Sequence, residues 1–250
     1  MGSGGFRYDQ IGRTYAATRR EDPVVAAQVW ASIGEVGSIV NIGAGTGSYE
    51  PTGCQVTAVE PSPEMLRQRH GRSRLVVRAR AEQLPFPDRS FDVAFAILTV
   101  HHWDDAAAGL AEMRRVADRQ VVLYFEPLHT HGFWALEYFP EALSVASEQD
   151  PPGESQIGDA LDVTRIEAVE VPHDCQDGFG IAFWARPEAY LDPTVQAGMS
   201  WMALQPARAL AEGSRRLAED LRSGAWDERF GHLRHERSFD GGYRLAIAGE

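Results

Sequence analysis

The sequence predicts an α/β fold, a doubly wound and mostly parallel sheet with helical cap additions, and three observations predict it. Short apolar runs alternate with segments of helical periodicity through the first half of the chain. One run, Phe91 to Leu98, is apolar along most of its length, as a strand covered on both faces must be. The first run ends directly in a glycine-rich turn, Gly43-Ala44-Gly45-Thr46-Gly47, and ligands of doubly wound sheets sit beyond the carboxyl ends of the strands.

Asp22-Pro23 followed by Val25, Val29 and Ile33 is a helix cap, a proline at the first helical position and one apolar stripe, stopped by Gly34 and Gly37. Ser38 to Ile42 is the first strand and Gln55 to Glu60 the second. Ser62-Pro63-Glu64 caps a helix carrying Met65 and Leu66. Leu75 to Val77 is a third strand and Phe91 to Leu98 a fourth; Leu110, Met113 and Val116 or Ala117 repeat at helical spacing, and Gln120 to Phe125 is a fifth strand. Beyond Glu126 the rhythm changes. The aromatic piece Phe133 to Phe139 precedes a Pro151 to Gly153 loop, Ile166 to Val171 reads as a sixth strand, and Pro172 to Gly178 is a loop. Leu210, Ser214, Leu217 and Leu221 share a helix face, and Tyr243 to Ala248 closes a Rossmann-like sheet of seven strands. The division expected is a single domain: 1–37 N-terminal lid helices, 38–126 core, 127–242 cap and acceptor-site elements, 243–250 closing strand.

Two hundred and fifty residues, 44% of them hydrophobic, bury a core without staples. The formal net charge of −12 disfavours nucleic acid as a partner. Two distant cysteines, Cys54 and Cys175, make neither a disulfide framework nor a cysteine zinc site and suit a reducing, cytoplasmic compartment. No run approaches the roughly 18 apolar residues of a membrane span, and Met1 to Gly5 reads as a frayed end rather than a signal peptide. All 24 basic residues are arginine, so lysine nucleophiles, Schiff bases and P-loop nucleotide binding are excluded. The cluster Arg67, Arg69, Arg72, Arg74, Arg78 and Arg80 reads as a solvated face.

The glycines let backbone approach a ligand closely, and a helix start behind them would offer free N–H groups. Glu60 ends the second strand, where a carboxylate can accept both hydroxyls of a ribose. The dinucleotide pattern G-x-G-x-x-G fails, because Gly47 comes one residue early and Ser48 stands in the third position, so a dehydrogenase is disfavoured.

Val40 to Gly47, Val59-Glu60-Pro61-Ser62, Ala81 to Asp92 and Leu98 to Trp103 together resemble the class I S-adenosylmethionine-dependent methyltransferases, in particular the small-molecule branch of the UbiE-like or methyltransferase 11 type, over roughly Tyr8 to Phe125. The resemblance implies S-adenosyl-L-methionine as cofactor, with Asn41, Gly43, Ala44, Gly45 and Gly47 around its methionine part and Glu60 and Pro61 at the ribose. It also implies Ala81 and Glu82 beside the adenine, Leu98 and Thr99 at the fourth strand's end, and Tyr8 or Tyr15 in a lid. Where many members carry an acid, Asn41 stands here, and Arg80 replaces an aspartate often found before Ala81. Candidate catalytic groups lie at the strand ends: His102 or His101 as general base, Glu126 to orient a histidine or bind the acceptor, and His173 beside the acceptor pocket. No metal is expected, since no His-x-x-x-His spacing supports one. The aromatics beyond Phe125 serve packing between cap and sheet, or wall an apolar acceptor pocket.

The reading is methyl transfer to a small-molecule acceptor, a biosynthetic or secondary-metabolism intermediate, at oxygen, nitrogen or carbon, by a monomer or homodimer with no membrane partner. Two alternatives stay open: the same fold binding the cofactor without methyl transfer, as scaffold or cyclisation catalyst, and an RNA methyltransferase.

Overall fold

A computed structural model describes residues 19–69, 75–126, 132–145 and 150–249. Helix α1 (Pro23–Ile33) starts where expected, with the Asp22 carboxylate accepting from the Val24 and Val25 amides at 2.9 and 3.1 Å. Strands β1 (Ser38–Ile42) and β2 (Gln55–Val59) follow, then α2 (Pro63–Arg67), capped by Ser62, β3 (Leu75–Val77), β4 (Phe91–Ile97), α3 (Ala106–Val116) and β5 (Ala117–Phe125). The later elements are α4 (Glu154–Leu161), β6 (Val163–Ala168), β7 (Val171–Pro172), α5 (Pro193–Gly198), α6 (Ser200–Ala203), α7 (Ala207–Ser223), α8 (Ala225–Phe230), β8 (Ser238–Phe239) and β9 (Tyr243–Ala248).

Seven strands form one sheet in the order β3-β2-β1-β4-β5-β9-β6, parallel from β3 to β5, with β9 antiparallel to both of its neighbours. The order reverses between β1 and β4, and this crevice is where a doubly wound sheet presents its ligand site. Alternate residues of β4 feed two cores. Val93 and Phe95 face α1 and the cap, whereas Ala94 and Ala96 face α3 and α4. Burial of both faces explains the near-continuous apolar run read in the sequence.

Three expectations are corrected. Among the described residues no helix follows the glycine turn: the chain passes from Ile42 to Gln55 through turns, because twelve residues interrupted by Pro51 and Gly53 are too few for a helical crossover. The sixth strand is Val163–Ala168, not Ile166 to Val171; Val169 still donates its amide to the Tyr243 carbonyl of β9 at 2.9 Å, and Val171 leaves the main sheet to pair with Phe239. The division into lid, core and cap also shifts. Helix α1 packs on the sheet with Val25, Val29 and Ile33 buried, and α4 and β6, read as cap, belong to the sheet layers. The described cap is the aromatic region from Phe133 to Val145 together with 178–235; Trp134 stands edge-on to Tyr190 and Trp226 at 5.4 and 5.2 Å, and donates Nε1 to the Trp184 carbonyl at 2.9 Å.

Candidate active site

The glycine turn is fixed from three sides. Gly43 (φ 69°) packs under Thr99, so closely that a Cβ there would stand 2.1 Å from the Thr99 Oγ1. Gly45 (φ 50°) donates its amide to Glu60 Oε2 at 2.9 Å, while Glu60 Oε1 accepts from the Ser62 amide at 2.8 Å. Behind the turn, buried Asn41 donates Nδ2 to buried Glu50 at 3.0 Å, and Glu50 pairs with Arg69, which is itself 6% exposed. Asn41, standing where many members of the resembled family carry an acid, thus has a carboxylate beside it in Glu50, supplied by the turn, although neither Asn41 nor Glu50 lines the cavity in front. Tyr49, at φ 64° and fully buried, donates its hydroxyl to Asp177 at 2.7 Å; burial and that carboxylate push the phenol well above its ordinary pKa, so it remains a donor.

Two cavities share wall residues at the end of the sheet. The first is lined by Gly43, Gly45, Glu60, Pro61, Ala81, Glu82, Leu98 and Thr99 of the expected residues, joined by Met65, Arg80, Ile97, His102, Trp103 and Asp104. Arg80 pairs with Asp104 across its rim, and Glu82 accepts from the Asp104 amide at 2.8 Å. Asn41, Ala44 and Gly47 lie behind the wall rather than in it, and Tyr8 and Tyr15 are outside the described residues. The second cavity has mainly apolar walls, among them Phe125, Phe133, Phe179, Met199 and Trp201, with Arg19, His101, His102, Ser200 and Tyr243 as its polar members. Leu98, held at φ 50°, and His102 line both cavities.

The histidines differ in what they can do. His101 lies 3.8 Å from the His102 ring and edge-on to Phe125 at 4.9 Å, and its Nδ1 is buried with no partner among the described residues. Enclosure, with the Arg19 cation nearby, pushes its pKa down to about 3, which keeps it neutral and makes it a poor proton acceptor. Glu126 lies in neither cavity; its carboxylate accepts the Glu154 amide at 2.9 Å at the start of α4, a favourable place for an anion. His173 is likewise elsewhere, with Nε2 3.0 Å from the Arg234 carbonyl and its ring edge-on to Trp184. Sequence reading missed Arg19, Met65, Tyr243 and Ser200 as wall residues; none carries a local motif, and packing alone brings them to the site.

The first cavity suits a nucleoside-sized ligand. Gly43 leaves no room for a side chain, Glu60 offers a carboxylate, Met65, Ile97 and Leu98 offer apolar walls, and Trp103 Nε1 is a buried donor with no partner among the described residues. Residues 40–125 match the methyltransferase domain family. The demethylmenaquinone methyltransferase of Thermobifida fusca is 34% identical over 140 residues, covering 49% of this chain and 58% of that protein. The ubiquinone/menaquinone C-methyltransferase UbiE of Burkholderia mallei is 39% identical over 124 residues, covering 39% of this chain and 49% of that protein. The chain thus spans about half the length of these curated relatives. A solved structure from Anabaena variabilis, assigned as a methyltransferase of an antibiotic biosynthesis pathway, superposes with a TM-score of 0.83 at 31% identity, covering 93% of this chain and 99% of that one. The chain belongs to the class I S-adenosyl-L-methionine-dependent methyltransferases, of UbiE-like type. The seven strands and the cofactor expected from the sequence accord with that family.

Proposed function

We propose that the protein transfers a methyl group from S-adenosyl-L-methionine, held in the first cavity, to a small molecule with an apolar body held in the second. The observation that supports this reading is that Leu98 and His102 line both cavities, since in-line displacement needs donor and acceptor held close together. When bound, the cofactor supplies an electrophilic methyl on a sulfonium whose leaving group is a neutral thioether. Gly43, Gly45, Glu60, Ala81, Leu98 and Thr99 would hold it, with the buried Trp103 Nε1 as a donor on the same wall.

His102 takes the proton of a heteroatom acceptor, and His101 is a neutral hydrogen-bonding wall. Glu126, which accepts the amide at the start of α4 and lies in neither cavity, is assigned no chemical step. The mainly apolar cavity supports an acceptor of the size and polarity of a biosynthetic intermediate, and the two unbridged cysteines support a cytoplasmic setting. No helix among the described residues is long and apolar enough to cross a membrane. The test is a thermal melt with S-adenosylhomocysteine, followed by an acceptor screen read by release of that product. Wild type is expected to gain stability with the ligand, and Gly45→Arg is expected to gain none; an unchanged wild-type melt would refute the reading.

A further inference from the structure

Trp201 is held in the wall of the second cavity by what packs round it. Its ring stands edge-on to buried Phe139 at 6.0 Å and tilted to buried Tyr190 at 6.1 Å, and its carbonyl accepts from Gln205 Nε2 at 2.9 Å. An indole N–H can only donate, and that of Trp201 has no hydrogen-bond partner among the described residues. It stands beside Gly180, another wall residue, where a Cβ would come within 3.1 Å of Trp201 Nε1 and equally of the Tyr243 hydroxyl oxygen. Gly180 is outside the left-handed region, so its backbone does not call for glycine; the gap before the indole N–H does. The Tyr190 hydroxyl donates to the Gly180 carbonyl at 3.1 Å and fixes the peptide that leaves this gap. Water can satisfy the N–H in the open cavity, whereas a wholly hydrocarbon ligand would strip that water and leave the donor unpaired, at a cost of roughly tenfold in affinity.

We propose that Trp201 selects the methyl acceptor by donating its indole N–H to a carbonyl oxygen, so that the acceptor carries a ketone, ester or amide carbonyl on its apolar body, and that Gly180 keeps open the space this oxygen occupies. The inference rests on the second cavity being the acceptor site. A carbonyl fits a lone donor better than a hydroxyl does, because it brings no proton of its own that needs a partner and the indole N–H has no lone pair to offer one. Trp201 lines the second cavity alone, whereas His102, which takes the proton in the proposed transfer, lines both. The carbonyl is therefore a handle that orients the acceptor, and the methylated atom is a different one, on the side of the cavity that His102 walls. An apolar compound of the same outline without that oxygen is rejected by the unpaired donor it would create.

The full chain, isotopically labelled at its tryptophans, is titrated by NMR with 1-tetralone and with tetralin, the same bicycle without the oxygen. Loss of one indole resonance in Trp201→Phe identifies the Trp201 signal. In wild type 1-tetralone is expected to move that indole proton downfield, as a new hydrogen bond does, and tetralin is expected to leave it in place. Trp201→Phe keeps an aromatic ring but no donor, and is expected to weaken 1-tetralone roughly tenfold more than it weakens tetralin. Gly180→Ala, whose methyl would cover the N–H while the indole stays, is expected to shift the ratio of the two dissociation constants in the same direction, and keeps the test open should Trp201→Phe fail to fold. The downfield shift together with a fallen ratio in either folded variant supports the proposal. No binding of 1-tetralone, an unmoved Trp201 resonance, or an unchanged ratio in both variants overturns it. A melt of the same wild-type sample with S-adenosylhomocysteine separates the two levels: stabilisation by that ligand without the ketone response overturns the role of Trp201 only, and no stabilisation overturns the methyltransferase reading itself.

Discussion

At Gly43 a side chain has nowhere to go. The left-handed backbone and the Thr99 hydroxyl, 2.1 Å from where a Cβ would stand, exclude it together. Gly43→Val is expected to destabilise the protein by about 2–4 kcal/mol in urea unfolding, overpacking and backbone strain adding, and to abolish the melt response to S-adenosylhomocysteine. His101 gives a pH signature. Its folded pKa of about 3 lies below the ordinary 6.5, so the unfolded chain takes up a proton on acidification that the folded protein refuses. Stability is then lost as the pH falls through the unfolded value toward the folded one, by at most about 1.4 kcal/mol per pH unit from this group. His101→Phe, packing against Phe125 and His102, is expected to flatten the urea midpoint between about pH 6 and pH 4. His102→Gln is expected to lower kcat by roughly 10²–10⁴ while S-adenosylhomocysteine binding, measured by calorimetry, changes little. An unaltered kcat would remove His102 as the base.

Among the elements, α1 shows both what the chain declares locally and what it conceals. Asp22-Pro23 signals the cap, and the cap forms. What no local pattern discloses is that the second Asp22 oxygen accepts the Gln176 amide at 2.9 Å, from a segment 154 positions away. Asp22→Ala therefore removes a helix cap and strands a backbone donor, for an expected loss of about 1.5–3 kcal/mol by denaturant unfolding, whereas Asp22→Asn is expected to keep the cap through its one amide oxygen, lose the bond from Gln176 and fall between wild type and Asp22→Ala. The glycine turn and the Glu60 strand end were legible because their geometry is carried by neighbours in sequence. The helix expected after the turn was not, because only the short return to β2 denies it room. Strand β6 misled by three residues: it is an edge strand carrying Thr164, Arg165 and Glu167, so the apolar signal falls just after it, at Val169, which closes its pairing with β9, and Val171, which pairs elsewhere. The acceptor cavity was least legible of all. Arg19, Phe125, Gly180, Ser200 and Tyr243 converge from five separate stretches, and no spacing rule connects them.

For the whole molecule, ligand linkage is the simplest measurable quantity. At about 100 times its dissociation constant, S-adenosylhomocysteine contributes about 2.7 kcal/mol, which for a chain of this size corresponds to a rise in Tm of roughly 5–10 °C. The net charge of −12 is expected to leave this untouched, because the cofactor site proposed above is lined by the glycine turn, apolar walls and Glu60, whereas the bulk charge acts at long range on polyanions. The sheet order also bears on synthesis. Strand β6 has no partner in the main sheet except β9, which is translated well after it, and β9 is also what seats Tyr243 in the second cavity. While the ribosome is still making the cap, the nascent chain can close the parallel half of the sheet, yet β6 must wait, an unpaired edge exposed to other chains. Expression temperature and chaperone supply should therefore govern the yield of this protein more than the stability of its finished fold.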